Sequence, residues 1–267
     1  MKQAIDFLKE SRQVLNLIQN RDEEVFFIKT QFKNWTINDV IGHLHIFNYA
    51  ANLSLKSADE FQVFFAPIGA ALKNGAPLLA IQKPWLSDLS GHALLDAWWK
   101  GAENLAKTFE TVNPKLRLKW VGPDMSARSS ITARQMETWA HGQEIFDILG
   151  EERVEDDRIK NILHLGASTF GWTFRNRKLE IPENPPFLSL ESPSGEIWHW
   201  NAPSKKSQIK GLAVDFASVV TQTRNVLDTK LVIKGDDAVR WMSFAQCFAG
   251  PPENPPQPNT RYKIGLK

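Results

Sequence analysis

The sequence predicts a mainly α-helical protein that carries a smaller α+β domain at its C-terminal end. Up to Arg175, apolar residues recur at helical spacing with few alternating runs. Beyond Arg175, short stretches alternate between apolar and polar residues at a period of two, which is the spacing typical of strands. The 267 residues are 42% apolar and 23% charged, a composition typical of folded globular proteins rather than of disordered chains or coiled coils.

Four or five long helices are predicted in the N-terminal part, which favours a helix bundle. The first has its apolar stripe between Ile5 and Ile18. A second begins at Thr36, whose hydroxyl can cap the free amides while Asp39 adds negative charge to the first turn. A short extended piece is predicted over 116–121. The remaining helices of this part are predicted over residues 58–79, 90–112, 132–149 and 156–174.

The C-terminal part follows a polar, proline-bearing segment of linker composition, residues 177–186. Two alternating runs around a Ser-Pro-Ser-Gly turn predict a β-hairpin. We place the boundary of the two domains between residues 178 and 179, giving a helical domain over 1–178 and an α+β domain over 179–267. The remaining predictions are hairpin strands over 187–191 and 196–200, helices over 210–222 and 236–248, a strand over 230–234 and an extended proline-rich tail over 251–258.

Charge and cysteine usage exclude several classes of function. The 32 basic residues are balanced by 30 acidic ones, so no nucleic-acid partner is expected. The single cysteine, Cys247, excludes an internal disulfide, a four-thiolate zinc site and an iron–sulfur cluster held within the chain. No apolar run of about 18 residues occurs, and the first residues resemble a polar helix rather than a leader. We therefore expect a cytoplasmic protein with no membrane partner.

The candidate chemistry lies with histidines and a carboxylate on two predicted helices. Glu137 and His141 are four residues apart, so their side chains leave the same helix face one turn apart. His43 lies toward the buried side of the second helix. Two imidazoles and one carboxylate from two helices would form a three-ligand site with an open position, which is the arrangement of catalytic zinc. The alternative for His43 is a core histidine bonded to a carbonyl group.

Several other residues are candidates for the site, and two of them, Arg134 and Trp139, can be interpreted in two ways. Arg134 precedes Glu137 by three residues, so it either binds an anionic substrate or thiol carboxylate, or serves as a surface or helix-pairing arginine. Trp139 either fills the core or lines a pocket. Glu144 continues the polar side of the same helix. His45 faces away from His43, and Cys247 has the apolar neighbours of an inert buried thiol.

Two segments resemble the motifs of the DinB-like metal-binding helical bundles, in particular the branch of the mycothiol-dependent maleylpyruvate isomerase N-terminal domain. The segments are WTINDVIGHL at 35–44 and RQMETWAHGQE at 134–144, the second with the Glu-x-x-x-His pattern. The resemblance implies a divalent metal, zinc, held by His43, Glu137 and His141 with water in the fourth position. In that branch the open position activates a low-molecular-weight thiol. Glu144 stands where the pattern usually has aspartate.

Three C-terminal segments are similar to the small domain named for wyosine base formation: GLAVDF at 211–216, GDDAVRW at 235–241 and AQCFAGPP at 245–252. One cysteine cannot hold the iron–sulfur cluster that radical chemistry on RNA would need, which excludes this chemistry within the chain. The sequence therefore favours a metalloenzyme that activates a small thiol or water for transfer, isomerisation or hydrolysis of a small molecule. The alternative is a noncatalytic metal-containing protein whose C-terminal domain carries an apolar ligand or partner. A homodimer is a further expectation, since bundles of this kind often pair.

Overall fold

The computed structural model describes residues 1–265 and divides the chain into two compact units, Met1–Ile148 and Leu149–Lys267. The first unit is helical, and the second combines a sheet with short helices, as the fold class predicted from the sequence requires. The division lies earlier in the chain than the boundary placed between residues 178 and 179. The reason is that the single helix predicted over 156–174 is two short helices, Lys160–Ser168 and Phe170–Asn176, which pack against helices of the second unit.

Four long helices dominate the first unit, and α5 packs against both α1 and α2. Two shorter helices lie between α2 and α5. Every long helix contributes side chains to one buried cluster that includes Phe7, Ala51, Leu105 and Ile131. The helices are α1 (Lys2–Ile18), α2 (Ile37–Lys56), α3 (Ala58–Lys73), α4 (Leu78–Leu86), α5 (Gly91–Thr111) and α6 (Ala127–Leu149).

The helix α2 begins where the sequence predicts, and a complete capping box fixes its first turn. The hydroxyl of Thr36 accepts a hydrogen bond from the backbone N–H of Asp39 at 3.1 Å. The carboxylate of Asp39 accepts one in return from the backbone N–H of Thr36 at 3.0 Å. This start sets the position of His43 two turns further along the helix.

The helix α6 begins five residues before the predicted start at residue 132, because a small hairpin leads directly into it. Its strands are β1 (Arg117–Leu118) and β2 (Met125–Ser126), which pair in antiparallel fashion. The hydroxyl of Ser126 accepts a hydrogen bond from the backbone N–H of Ser129 at 3.1 Å, within the first turn of the helix.

The helix predicted over 58–79 is present as α3 and ends at Lys73, and the sequence did not predict the next helix, α4, which begins after Pro77. The helix α4 packs against α2. Gly42 on α2 permits this approach, since a Cβ atom there would lie 2.6 Å from Cδ1 of Leu86. This packing brings Gln82, the buried residue of α4, next to the middle of α2.

The second unit contains a four-stranded sheet in the order β4-β3-β5-β6. The predicted hairpin is present as the antiparallel pair β3–β4, whereas β3 and β5 are parallel and β5 and β6 are antiparallel. The elements are α7 (Lys160–Ser168), α8 (Phe170–Asn176), β3 (Phe187–Glu191), β4 (Ile197–Trp200), β5 (Gln208–Leu212), α9 (Ala213–Val220), β6 (Val232–Lys234) and α10 (Asp236–Met242).

Both predicted C-terminal helices differ in their bounds from the observed helices. The prediction of a helix over 210–222 is wrong at its start, because Lys210–Leu212 belongs to β5 and the helix α9 begins at Ala213. Pairing with β3 buries Ile209 in this strand, and Gly211 has a φ of 145° that a helix does not permit. The helix predicted over 236–248 ends at Met242.

The proline-rich segment has neither helix nor strand, and amide side chains hold its carbonyl groups. Gln246 donates to the carbonyl of Pro251 at 3.0 Å, and Gln222 donates to that of Glu253 at 2.9 Å. Proline has no N–H, so a segment of this kind can be fixed mainly through its carbonyl oxygens. Within residues 1–265, no helix has the length and apolar character needed to cross a bilayer.

Candidate metal centre

The three predicted ligand residues lie together in the first unit. His43 projects from α2, and Glu137 and His141 project from α6, with one ligand atom of each within 4.8 Å of the others. Oε2 of Glu137 lies 3.2 Å from Nε2 of His43 and 3.4 Å from Nε2 of His141. A tetrahedral ion with bonds of about 2.05 Å separates its ligand atoms by about 3.3 Å. Both measured distances therefore fit the edges of such a coordination sphere.

The charges of the cluster suit cation binding. Burial lowers the pKa of His43 to about 4, and the hydrogen bond to Glu137 offsets only part of this effect. Burial would raise the pKa of Glu137, but hydrogen bonds from His141 and His43 hold it well below the usual range of a carboxyl group. At neutral pH the site thus presents a neutral imidazole and a carboxylate, which are the protonation states that ligate metals.

Gln82 orients the imidazole of His43 from the side opposite Glu137. Nε2 of Gln82 lies 2.8 Å from Nδ1 of His43, and the amide is 3% exposed. In this arrangement Nδ1 accepts, so Nε2 carries the proton and donates to Glu137. Oε1 of Gln82 is buried and has no hydrogen-bond partner among the described residues. A rotated amide would offer Oε1 to an Nδ1 proton, which leaves Nε2 of His43 free to bind a cation.

Aromatic rings enclose the two imidazoles. Phe47 lies 4.7 Å from the ring of His43, and Phe32 lies 5.1 Å from the ring of His141. Trp35 is parallel to His141 at 6.0 Å between ring centres. Trp35 lies just before α2. Rings in these positions limit the access of water to the ligand atoms.

The turn that carries Phe32 and Trp35 has an uncommon backbone conformation. The backbone N–H of Trp35 donates to the carbonyl of Phe32 at 2.9 Å, closing a four-residue turn. Its two central residues, Lys33 and Asn34, have φ angles of 51° and 57°. Positive φ at both central positions is characteristic of a type I′ turn and is costly for lysine. Residues in strained backbone conformations often occur in loops that form functional sites.

The other predicted site residues, Arg134, Trp139 and Glu144, are buried on α6 outside the three-residue cluster. Arg134 is buried one turn before Glu137, and its Nε donates to Oδ1 of Asn48 at 3.0 Å. The interpretation of Arg134 as a surface arginine is therefore wrong, whereas its interpretation as a helix-pairing arginine agrees with this bond between α6 and α2. Trp139 is 1% exposed and belongs to the core of the helical unit. Glu144 is buried on α6, and the three-residue cluster does not include it.

An apolar cavity of about 370 Å³ adjoins the cluster on the side of α3 and α4. Phe47 and Gln82, which both contact His43, are among its lining residues. Its other walls are apolar and include Phe64, Ile68 and Trp85. The cavity lies in the helical unit. That the C-terminal domain carries an apolar ligand or partner stays a prediction.

A comparison with protein families identifies the helical part of the chain. Residues 7–146 match the model of the mycothiol maleylpyruvate isomerase N-terminal domain, which is more than half of the chain. The chain belongs to this family. The resemblance drawn from the two sequence motifs is thereby confirmed. The similarity of the C-terminal part to the wyosine-base-formation domain stays a prediction.

Two proteins from Mycobacterium tuberculosis resemble the chain over most of its length. Two uncharacterised proteins, from strains CDC 1551 / Oshkosh and H37Rv, are each 34% identical over 247 residues. The alignments cover 92% of this chain and 95% of each relative. The similarity therefore spans both units.

The fold resembles the crystal structure of the mycothiol-dependent maleylpyruvate isomerase, with a TM-score of 0.51 and 14% identity. The match covers 82% of this chain and 87% of that chain. A histidine-to-alanine variant of the same enzyme matches with a TM-score of 0.50. At this level of identity the comparison shows a shared fold, and this fold extends beyond the helical unit.

Sequence reasoning missed Gln82 and Asn48. Gln82 is the one amide in the apolar run from Leu78 to Trp85, a signal that becomes informative only when that run is recognised as a helix. Asn48 follows Phe47 on α2, and its partner Arg134 lies 86 residues further along the chain. No local pattern indicates a pairing over this separation.

The burial of His43 predicts its titration in metal-free protein. Its imidazole should stay neutral until the pH falls to about 4, whereas a histidine in the unfolded chain protonates near 6.5. The unfolded state thus binds the proton first, and stability should decrease as the pH falls from 6.5 to about 4. An NMR titration of the ring proton after treatment with a chelator measures this midpoint. A midpoint near 6.5 would show that water reaches the ring freely.

Proposed function

We propose that the protein is a metalloenzyme whose helical unit holds one divalent cation, zinc, on His43, Glu137 and His141. The cation would activate a low-molecular-weight thiol for transfer or isomerisation of a small molecule. The observation that carries this proposal is the pair of contacts at Oε2 of Glu137, 3.2 Å and 3.4 Å from two imidazole nitrogens. These two distances match the edges of a tetrahedral sphere, and three protein ligands are the number found in catalytic zinc sites.

The chemistry of such a site follows from its charge. A divalent cation held there would favour a thiolate over a thiol, or lower the pKa of a bound water to about 7. Glu137 offsets one charge of the cation, Gln82 fixes the ring of His43, and Trp35 and Phe47 exclude bulk water. A partly dry site strengthens these electrostatic interactions.

The family favours a thiol over water as the activated molecule. The chain belongs to the mycothiol maleylpyruvate isomerase N-terminal domain family, and its fold resembles that of an isomerase described as mycothiol-dependent. The cavity of about 370 Å³ next to Phe47 and Gln82 offers space for a small molecule. We extend thiol use to this chain on these two grounds.

A second candidate function is noncatalytic binding of an apolar ligand. The apolar walls of the cavity favour it, because a ligand could be held there without reaction at the cluster. In this case the metal would stabilise α2 and α6 only. The two functions differ in whether an external thiol reaches the metal.

Metal analysis tests the ligand set. Protein purified without a metal-affinity column should contain about one zinc ion per chain, and His141→Ala should contain almost none, because two ligands cannot hold the ion tightly. The control is His45→Ala, whose imidazole lies on the same helix as His43 but packs against Trp85. Equal zinc content in wild type and His141→Ala would rule out the proposed ligand set.

Gln82 should affect the metal without contacting it. Gln82→Leu removes the partner of Nδ1, so the affinity for zinc should fall about 10- to 100-fold, as is usual when a ligand histidine loses its orienting group. Competition with a chromophoric chelator measures this change. Gln62→Leu, at an exposed position on α3, is the matched control and should leave the affinity unchanged. An unchanged affinity in Gln82→Leu would show that the amide has no orienting role.

Cobalt substitution tests thiol activation directly. Addition of 2-mercaptoethanol to the cobalt-loaded protein should produce a sulfur-to-cobalt charge-transfer band, because a site with three protein ligands has a position for the thiolate. The cobalt spectrum of the His45→Ala variant should respond in the same way. A spectrum that no thiol alters would favour the noncatalytic alternative and count against the enzyme.

A further inference from the structure

We propose that Arg134 and Asn48 form a carboxylate-binding site beside the metal centre, and that the molecule taken by this site carries a carboxylate group. This inference rests on the proposed function, because it names the class of ligand that the same centre accepts. It is carried by two buried hydrogen-bond donors that have no acceptor among the described residues.

Arg134 and Asn48 are joined by one hydrogen bond and leave two donors unused. Each residue is only 2% exposed, and Nε of Arg134 donates to Oδ1 of Asn48 at 3.0 Å. Nη2 of Arg134 and Nδ2 of Asn48 are both buried and without a hydrogen-bond partner in the described part of the chain. Buried donors are nearly always paired in folded proteins, so two unpaired donors on side chains that are bonded to each other indicate a missing acceptor.

The chemistry of the two donors matches a carboxylate. One donor belongs to a charged guanidinium and the other to a neutral amide, and the bond between Nε and Oδ1 fixes the two groups relative to each other. A carboxylate offers two oxygens that accept from separate N–H groups, and charged donors strengthen such bonds. A single trapped water would also accept from these donors, and the experiment below separates the two cases.

The position of the pair links it to the metal centre. Arg134 lies one turn before Glu137 on α6, and Asn48 lies on α2, the helix of His43. The ring of Phe47 lies near both His43 and Arg134. Its centre is 4.7 Å from the ring centre of His43 and 5.9 Å from Cζ of Arg134. The guanidinium of Arg134 and the ring of His43 therefore share Phe47 as a neighbour.

The charge balance also favours an anion. Burial lowers the pKa of Arg134 to about 10, and the nearby Glu137 opposes this effect, so the guanidinium stays charged at neutral pH. Glu137 already accepts from both imidazoles of the cluster. With a divalent cation bound, the cation and Arg134 together outweigh the single carboxylate. An incoming carboxylate would reduce this excess of positive charge.

Matched pairs of thiols on the cobalt-loaded protein test the inference. The probes are mercaptoacetate with 2-mercaptoethanol, and 3-mercaptopropionate with 3-mercapto-1-propanol, each pair equal in chain length. The charge-transfer band gives a dissociation constant for each probe. We expect the wild type to bind at least one carboxylate thiol about tenfold more tightly, relative to its alcohol, than Arg134→Met does. Comparing ratios between variants cancels the intrinsic acidity of each thiol.

Three variants complete the experiment. Asn48→Asp keeps the acceptor for Nε of Arg134 but replaces the amide donor by a negative charge, so it should also lose the preference for carboxylates. Arg134→Lys keeps the charge without the planar fork and should retain only part of the preference. Arg128→Met, at an exposed position on the same helix, should behave as the wild type.

The outcomes separate this inference from the proposed function. If no thiol of either kind alters the cobalt spectrum, the proposed function fails. If thiols bind but wild type, Arg134→Met and Asn48→Asp show the same ratios, the carboxylate site is overturned, the donors are satisfied by water, and the metal centre stands. Should Arg134→Met not fold, the ratio in Asn48→Asp decides, because that variant retains the buried arginine and its acceptor.

Discussion

The candidate metal centre depends on one carboxylate oxygen that two imidazoles from different helices contact at the same time. Oε2 of Glu137 lies within 3.4 Å of Nε2 of both His43 and His141. A buried carboxylate is costly unless positive charge or hydrogen-bond donors meet it. In the metal-free state the two imidazoles act as the donors, and a divalent cation would replace both protons. The capping box of α2 and the hairpin before α6 position the helices for this contact.

The residues around this oxygen have three different roles. Phe32, Trp35 and Phe47 limit water, Gln82 controls the orientation of His43, and Arg134 with Asn48 provides unused donors. The apolar cavity between α2, α3 and α4 begins at two of these residues. A three-residue cluster, a pair of buried hydrogen-bond donors and an apolar cavity therefore lie within one helical unit. This combination supports the small-molecule site that we propose.

The sequence predicted the parts of this site that depend on local periodicity. The spacing of Glu137 and His141 follows from one helical turn, and the start of α2 follows from Thr36 and Asp39. Local patterns could not predict contacts that depend on packing between helices. The position of Gln82 depends on how α4 lies against α2, and the Arg134–Asn48 bond joins residues far apart in the chain. The boundary between the two units also lies earlier in the chain than predicted, because α7 and α8 pack against helices of the second unit. Local patterns do not show this packing.

The most direct test of the account is a crystal structure of zinc-loaded protein with anomalous data collected on both sides of the zinc absorption edge. The account predicts one strong anomalous peak about 2.0–2.2 Å from Nε2 of His43, Nε2 of His141 and a carboxylate oxygen of Glu137, with a fourth position not occupied by a protein atom. A zinc ion bound elsewhere, or at this place with four protein ligands, would contradict it.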